Sequence, residues 1–135
     1  MLESREMEAL RQALEGDPRV GYALVFGSTA RGSSHALSDL DVAIGPAQGR
    51  RLTALELGDI ASRLQSAAGR SVDVIDLDVA PAGLAYRVFR DGQVIVEADR
   101  ARLVARKARA ILEYLDFRPV EELCARGVLA AVRGR

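Results

Sequence analysis

The chain carries no surplus charge of either sign, with 19 Lys+Arg against 19 Asp+Glu in 135 residues. No global basic field is therefore available to recruit nucleic acid, and a direct nucleic-acid partner is not expected. The single cysteine, Cys124, cannot close an internal disulfide, so the fold needs no oxidising compartment. No apolar run approaches the roughly 20 residues of a membrane span, and the opening Met-Leu-Glu-Ser-Arg-Glu-Met-Glu is too charged for a signal peptide. Internal repeats, linkers and low-complexity tracts are missing as well. What remains is the expectation of one cytoplasmic globular domain over residues 1–135, with 49% hydrophobic and 28% charged residues and enough length for a core.

The apolar pattern divides this domain into short elements. Met7, Leu10 and Leu14 predict a helix over Glu3 to Leu14, stopped by Gly16-Asp17-Pro18. Strands are predicted at Tyr22 to Phe26, Leu40 to Ile44 and Val72 to Leu77, with a smaller fourth at Val94 to Val96. Between them Leu57, Ile60, Ala61 and Leu64 mark a helix from Leu52 to about Leu64, and Pro81 opens a short one over Ala82 to Phe89. A long helix is expected from Ala98 to Leu115, with Val104, Ala108, Ile111 and Leu115 as its apolar stripe and Leu103, Ala110 and Tyr114 flanking it. After Pro119 a final helix is expected from Val120 to Val132. The order α-β-β-α-β-α-β-α defines an α/β or α+β fold, with helices packed on one small mixed sheet.

Between the first two strands lies the stretch with chemistry in it. Gly27-Ser28 turns the chain after the first strand, where glycine permits a positive φ and close backbone approach. If Ser28 to Gly32 opens a helical turn, its free N–H groups form a site for phosphates. Asp39 and Asp41 stand two apart on the returning strand, so both carboxylates leave one face while Leu40, Val42 and Ile44 leave the other. Gly-Ser alone is a common turn, and Asp-x-Asp alone is common on solvated edges. Together they place repelling carboxylates beside a phosphate turn, where a divalent cation removes the repulsion. A third acid is expected on the neighbouring strand, and Val72-Asp-Val-Ile-Asp-Leu-Asp78 offers Asp73 on one face or Asp76 and Asp78 on the other. Asp73 is preferred, because a charge in the strand body between two valines is expensive without a partner. Asp76 and Asp78 read as solvated acids or helix caps.

Gly27-Ser28-x-x-Arg31-Gly32 followed by Ser38-Asp39-x-Asp41 resembles the signature of the DNA polymerase β-type nucleotidyltransferase superfamily. The short chain, Ala30-Arg31-Gly32 and Val72-Asp73-Val74 are similar to its minimal nucleotidyltransferase (MNT) branch. The resemblance implies that Gly27 and Ser28 bind the triphosphate, and that Asp39, Asp41 and Asp73 hold Mg²⁺, two ions in all. Asp73 would also act as base toward an acceptor hydroxyl. It further implies AMP transfer from ATP to a hydroxyl of a HEPN-family RNase toxin, on a tyrosine, by an antitoxin that forms a hetero-oligomer with it. Two other functions are compatible with the sequence: a non-catalytic module that masks the toxin by contact, and a nucleotidyltransferase acting on a small molecule or RNA.

The remaining polar residues read more plainly. Arg31 follows the turn and either touches phosphate or lies on the surface, His35 is a solvated loop residue, and Cys124 packs in a helix. The basic run Arg100, Arg102, Arg106, Lys107 and Arg109 reads as a solvated helix face, with an acidic partner or RNA as the alternative. Tyr114 is expected to pack by its ring. The apolar faces of the last two helices are expected to close the core, with partner contact as the second possibility.

Overall fold

The structure, a computed structural model, describes residues 4–27 and 39–116. In chain order its elements are α1 (Ser4–Leu14), β1 (Val20–Phe26), β2 (Leu40–Pro46), α2 (Ala54–Ala68), β3 (Val72–Asp76), α3 (Ala82–Asp91), β4 (Gln93–Glu97) and α4 (100–116), with short 3₁₀ turns at Ala47–Gly49 and Leu77–Val79. All eight expected elements in this range are present, with ends shifted by a few residues. Ser28, Arg31, Gly32, His35, Ser38, Cys124 and the expected helix from Val120 to Val132 lie outside the described residues.

The four strands form one mixed sheet in the order β3-β2-β1-β4. β1 is antiparallel to both β2 and β4, whereas β2 and β3 run parallel. A parallel pair needs a long return across the sheet, and α2 supplies it. That helix opens on a reciprocal cap in which Thr53 Oγ1 accepts from Glu56 N at 3.1 Å and Glu56 Oε1 accepts from Thr53 N at 3.0 Å. It ends on Gly69, whose φ of 73° suits the left-handed terminating position.

Strand alternation sends side chains into two separate cores. Leu40, Val42, Ile44, Val72 and Ile95 meet Leu10 and Leu14 of α1 and Ile60 and Leu64 of α2 on one face. Tyr22, Leu24 and Ala43 meet Ala85, Val88 and Phe89 of α3 and Leu103 and Ala110 of α4 on the other. The molecule is thus a sheet between two helical layers, and Asp41, one residue from Leu40 and Val42, must leave the α3/α4 face.

Three expectations are corrected. Leu77 is not the end of β3 but begins the 3₁₀ turn, because Asp76 accepts from Asp78 N at 2.9 Å and breaks the extended run. Asp76 is therefore a cap, as one reading had it, but buried at 6% exposure rather than solvated. On α4 the core face is Leu103, Arg106 and Ala110; Val104, Ile111 and Leu115 are 55%, 37% and 49% exposed. Tyr114 packs by its ring as expected, stacked on Tyr86 at 4.0 Å between centroids.

Tyr22 lies opposite Gly45 in the β1–β2 register, and a Cβ at Gly45 would fall 2.0 Å from Tyr22 Cζ. The ring occupies the space that glycine leaves, and close packing allows it no retreat. Gly45→Ala is therefore expected to lower stability by about 1–3 kcal/mol or more. Urea unfolding measures this; an unchanged midpoint would mean the ring moves aside freely.

Candidate functional site

The carboxylates gather where β1 ends and β2 and β3 begin. Phe26, the last residue of β1, pairs with Asp41 on β2, so Gly27 turns directly beside that aspartate. Its φ is 83°, and a Cβ there would lie 2.6 Å from Asp41 Oδ2. Glycine is thus required twice over, by the backbone angle and by the carboxylate pressed against it.

Asp73 comes to Asp41 across the parallel pair. The register Leu40↔Val72, Asp41↔Asp73, Val42↔Val74 sets the two aspartates side by side on neighbouring strands. Paired residues point to the same face, so period two decides among the three acids of this segment in favour of Asp73. Asp76 pairs with Ile44 and turns to the opposite side, into its cap. Asp39 is exposed just before β2 begins.

The electrostatics record this crowding. The Asp41 carboxyl is pushed above its ordinary 3.8, first by burial, then by the charge of Asp73, then by that of Asp39. The charges of Asp73 and Asp39 thus both bear on Asp41. The three acids do not form a ready-made cage: among the described residues no three His, Cys, Asp or Glu side chains are set to hold a metal ion. They are a row of like charges, with Asp41 half-buried in the middle, and a row of this kind favours any cation that lowers its repulsion.

Sequence reading missed what lies beyond the turn. A cavity of about 280 Å³ opens beside Gly27, lined by Phe26, Leu84, Arg87 and Asp91. Leu84, Arg87 and Asp91 follow helical spacing along α3, so one face of that helix overlooks the turn. The i, i+3, i+7 placement was visible in the sequence, but nothing in it says that α3 crosses the end of β1. Gly27, Asp39, Asp41 and Asp73 are brought together; Ser28 and Arg31 lie outside the described residues.

The mixed sheet thus carries a glycine turn after its first strand and three acids at the heads of the next two. The polymerase beta nucleotidyltransferase family matches residues 8–101, and the chain belongs to it. Over 93 residues it is 28% identical to the protein adenylyltransferase MntA of Shewanella oneidensis, covering 69% of this chain and 66% of that protein, just under two thirds of the relative's length. The fold is also that of a toxin–antitoxin solved with AMP-PNP (TM-score 0.77, 22% identity, 91% of this chain and 98% of that one). A complex of tri-AMPylated HEPN toxin with MNT antitoxin from Shewanella oneidensis shares it too (TM-score 0.72, 20% identity, 92% of this chain and 96% of that one). No helix among the described residues is long and apolar enough to cross a membrane.

The raised Asp41 carboxyl has a consequence for stability. Unfolded, it releases its proton near 3.8; folded, it keeps the proton to higher pH. Folding takes up protons in that window, so this group's contribution falls as pH rises through it. In metal-free buffer Asp41→Asn is expected to raise the melting temperature at pH 7, with the gain vanishing below about pH 3.8. A lower melting temperature at pH 7 would contradict the repulsion.

Proposed function

We propose that the chain transfers AMP from ATP to a hydroxyl of a partner protein, and that this partner is a HEPN-family toxin which the transfer neutralises. The observation that carries the chemistry is the Asp41–Asp73 pairing beside Gly27. The similarity to a protein adenylyltransferase supports the reaction, and the shared fold with toxin–antitoxin complexes supports the partner.

Asp39, Asp41 and Asp73 are the residues that would hold Mg²⁺, two ions in this reading; when bound, the metal offsets the carboxylate charge and supplies positive charge at the phosphates. The donor set suits it: hard carboxylate oxygens, mutually repelling, in a row beside a phosphate turn. Gly27, having no side chain, lets the triphosphate come against the backbone; Ser28 adds a hydroxyl and N–H, and Arg31 a charge. Arg87, on the rim of the adjoining cavity, offers a further guanidinium.

Asp73 is more exposed than Asp41, at the outer end of the row, where an acceptor can reach it. It accepts the proton of the incoming hydroxyl while that oxygen bonds to the α-phosphorus and the bond to pyrophosphate breaks. No protein nucleophile enters, and positioning with charge stabilisation carries the step. The apolar stripe Val104, Ile111 and Leu115, exposed on α4, gives a partner a surface to rest on.

Asp39→Asn and Asp41→Asn are each expected to reduce AMP transfer by at least about a hundredfold with the fold intact. The measurement is the intact mass of the protein encoded by the neighbouring gene, incubated with the chain, ATP and Mg²⁺. No AMP adduct with the wild-type chain, or an undiminished one with either variant, overturns the proposal. Neutralisation that persists in both variants identifies the chain as a binder acting by contact alone.

A further inference from the structure

At the other end of the sheet, about 13 Å along β2 from Asp41 by strand geometry, α4 presents arginines instead of acids. Arg102, Arg106 and Arg109 recur at helical spacing and, with Asp78 and Ala105, line a cavity of about 240 Å³. The basic run reads from sequence as a solvated face, yet Arg106 is only 5% exposed. A buried guanidinium needs acceptors for its donors.

Some of those donors are used. Arg106 Nε and Nη2 donate to Leu77 O at 3.3 and 3.0 Å, and Arg109 Nη2 donates to Asp78 O at 3.2 Å, tying α4 to the turn after β3. Others are left over. Arg106 Nη1, Arg102 Nε and the Tyr22 hydroxyl are buried with no hydrogen-bond partner among the described residues. Glu113 approaches Arg106 Nη1 only to 3.6 Å, and Asp78 approaches Arg102 and Arg106 at 3.6 and 3.9 Å. These are ion pairs at a distance rather than hydrogen bonds. Among the described residues three guanidinium groups face two carboxylates, leaving positive charge in excess.

The packing keeps this arrangement in place. A Cβ at Gly49 would lie 2.6 Å from Arg102 Nη2, so the guanidinium rests against bare backbone. Burial first, then the charge of Arg109, make Arg106 hold its proton less firmly than usual. Burial first, then Asp78, push the Tyr22 hydroxyl up to about 12, so it remains a proton donor at neutral pH. A purely structural role for the arginines accounts for the bonds to Leu77 and Asp78. It leaves three buried donors without acceptors among the described residues, a costly state that native structures seldom keep.

We propose that this pocket is a second anion site, distinct from the aspartate row, which binds a phosphate-type oxyanion. Such a group offers several acceptor oxygens at once, matches the planar fork of a guanidinium, and removes the positive excess. It reaches the pocket either as a free ion or as the phosphate of a larger molecule.

The test is calorimetric titration of the full chain with inorganic phosphate in EDTA. Without divalent ions the row of aspartates repels phosphate, and the difference in uptake between the wild-type chain and a variant of the pocket arginines reports this site, independent of whether AMP transfer occurs. Saturable uptake of one phosphate is expected, at least about tenfold weaker in Arg102→Gln/Arg109→Gln. The variant spares Arg106, whose loss would disturb the core. Competition by pyrophosphate points to a free ion and competition by a 5′-phosphorylated dinucleotide to a larger ligand. Absence of saturable uptake by the wild-type chain, or equal uptake by the double variant, overturns the site.

Discussion

The site depends on one pairing: β3 beside β2, parallel, with Asp73 level with Asp41. Two carboxylates on adjacent strands repel, and Asp39 adds a third charge to the same row. The sheet holds them together because the opposite face of the same strands is fully committed. Leu40, Val42 and Ile44 are each 0% exposed against α1 and α2. A slip of one residue would bury the acids and expose those three side chains. Apolar burial on one face thus maintains electrostatic repulsion on the other, and in the proposed function that repulsion is what a bound cation relieves.

The same division explains how two opposite charge environments share one small domain. Among the described residues α3 and α4 pack on the second face against Tyr22, Leu24 and Ala43. Beside Gly27 the charged groups are the carboxylates of Asp41 and Asp73; beyond β3 they are the arginines of α4, with Arg106 buried. Glycines serve both ends, Gly27 against Asp41 and Gly49 against Arg102, in each case because a charged head group fills the space where a Cβ would stand. Gly45 does the equivalent for the Tyr22 ring between them.

Much of this was legible in the sequence, and the reasons are local. Period two placed Asp39 and Asp41 on one face, and the β-branched run around Asp73 marked a strand. The sequence favoured that acid on the cost of a buried charge, whereas in the fold Asp73 is exposed and the register with β2 sets it beside Asp41. The element order followed from short apolar runs between strong turn residues. What depends on contacts between distant segments was not legible. On α4 two stripes compete, Val104-Ala108-Ile111-Leu115 and Leu103-Arg106-Ala110. Hydrophobicity favours the first, whereas packing chose the second, because Arg106 finds Leu77 O and buries its aliphatic stem. That α3 overlooks Gly27, bringing Arg87 near the turn, is likewise a property of layer packing. The need for glycine at position 27 was readable as a turn, but its second cause, the Asp41 carboxylate, required the fold.

The claim that these acids are a cation site is tested most directly by where an ion sits. Crystals of the full chain grown with Mn²⁺ and a non-hydrolysable ATP analogue, examined by anomalous diffraction, are expected to show manganese bound by carboxylate oxygens of Asp41 and its neighbours Asp39 and Asp73, with phosphate oxygens completing the shell. Manganese located elsewhere, with the nucleotide away from Gly27, would contradict the account.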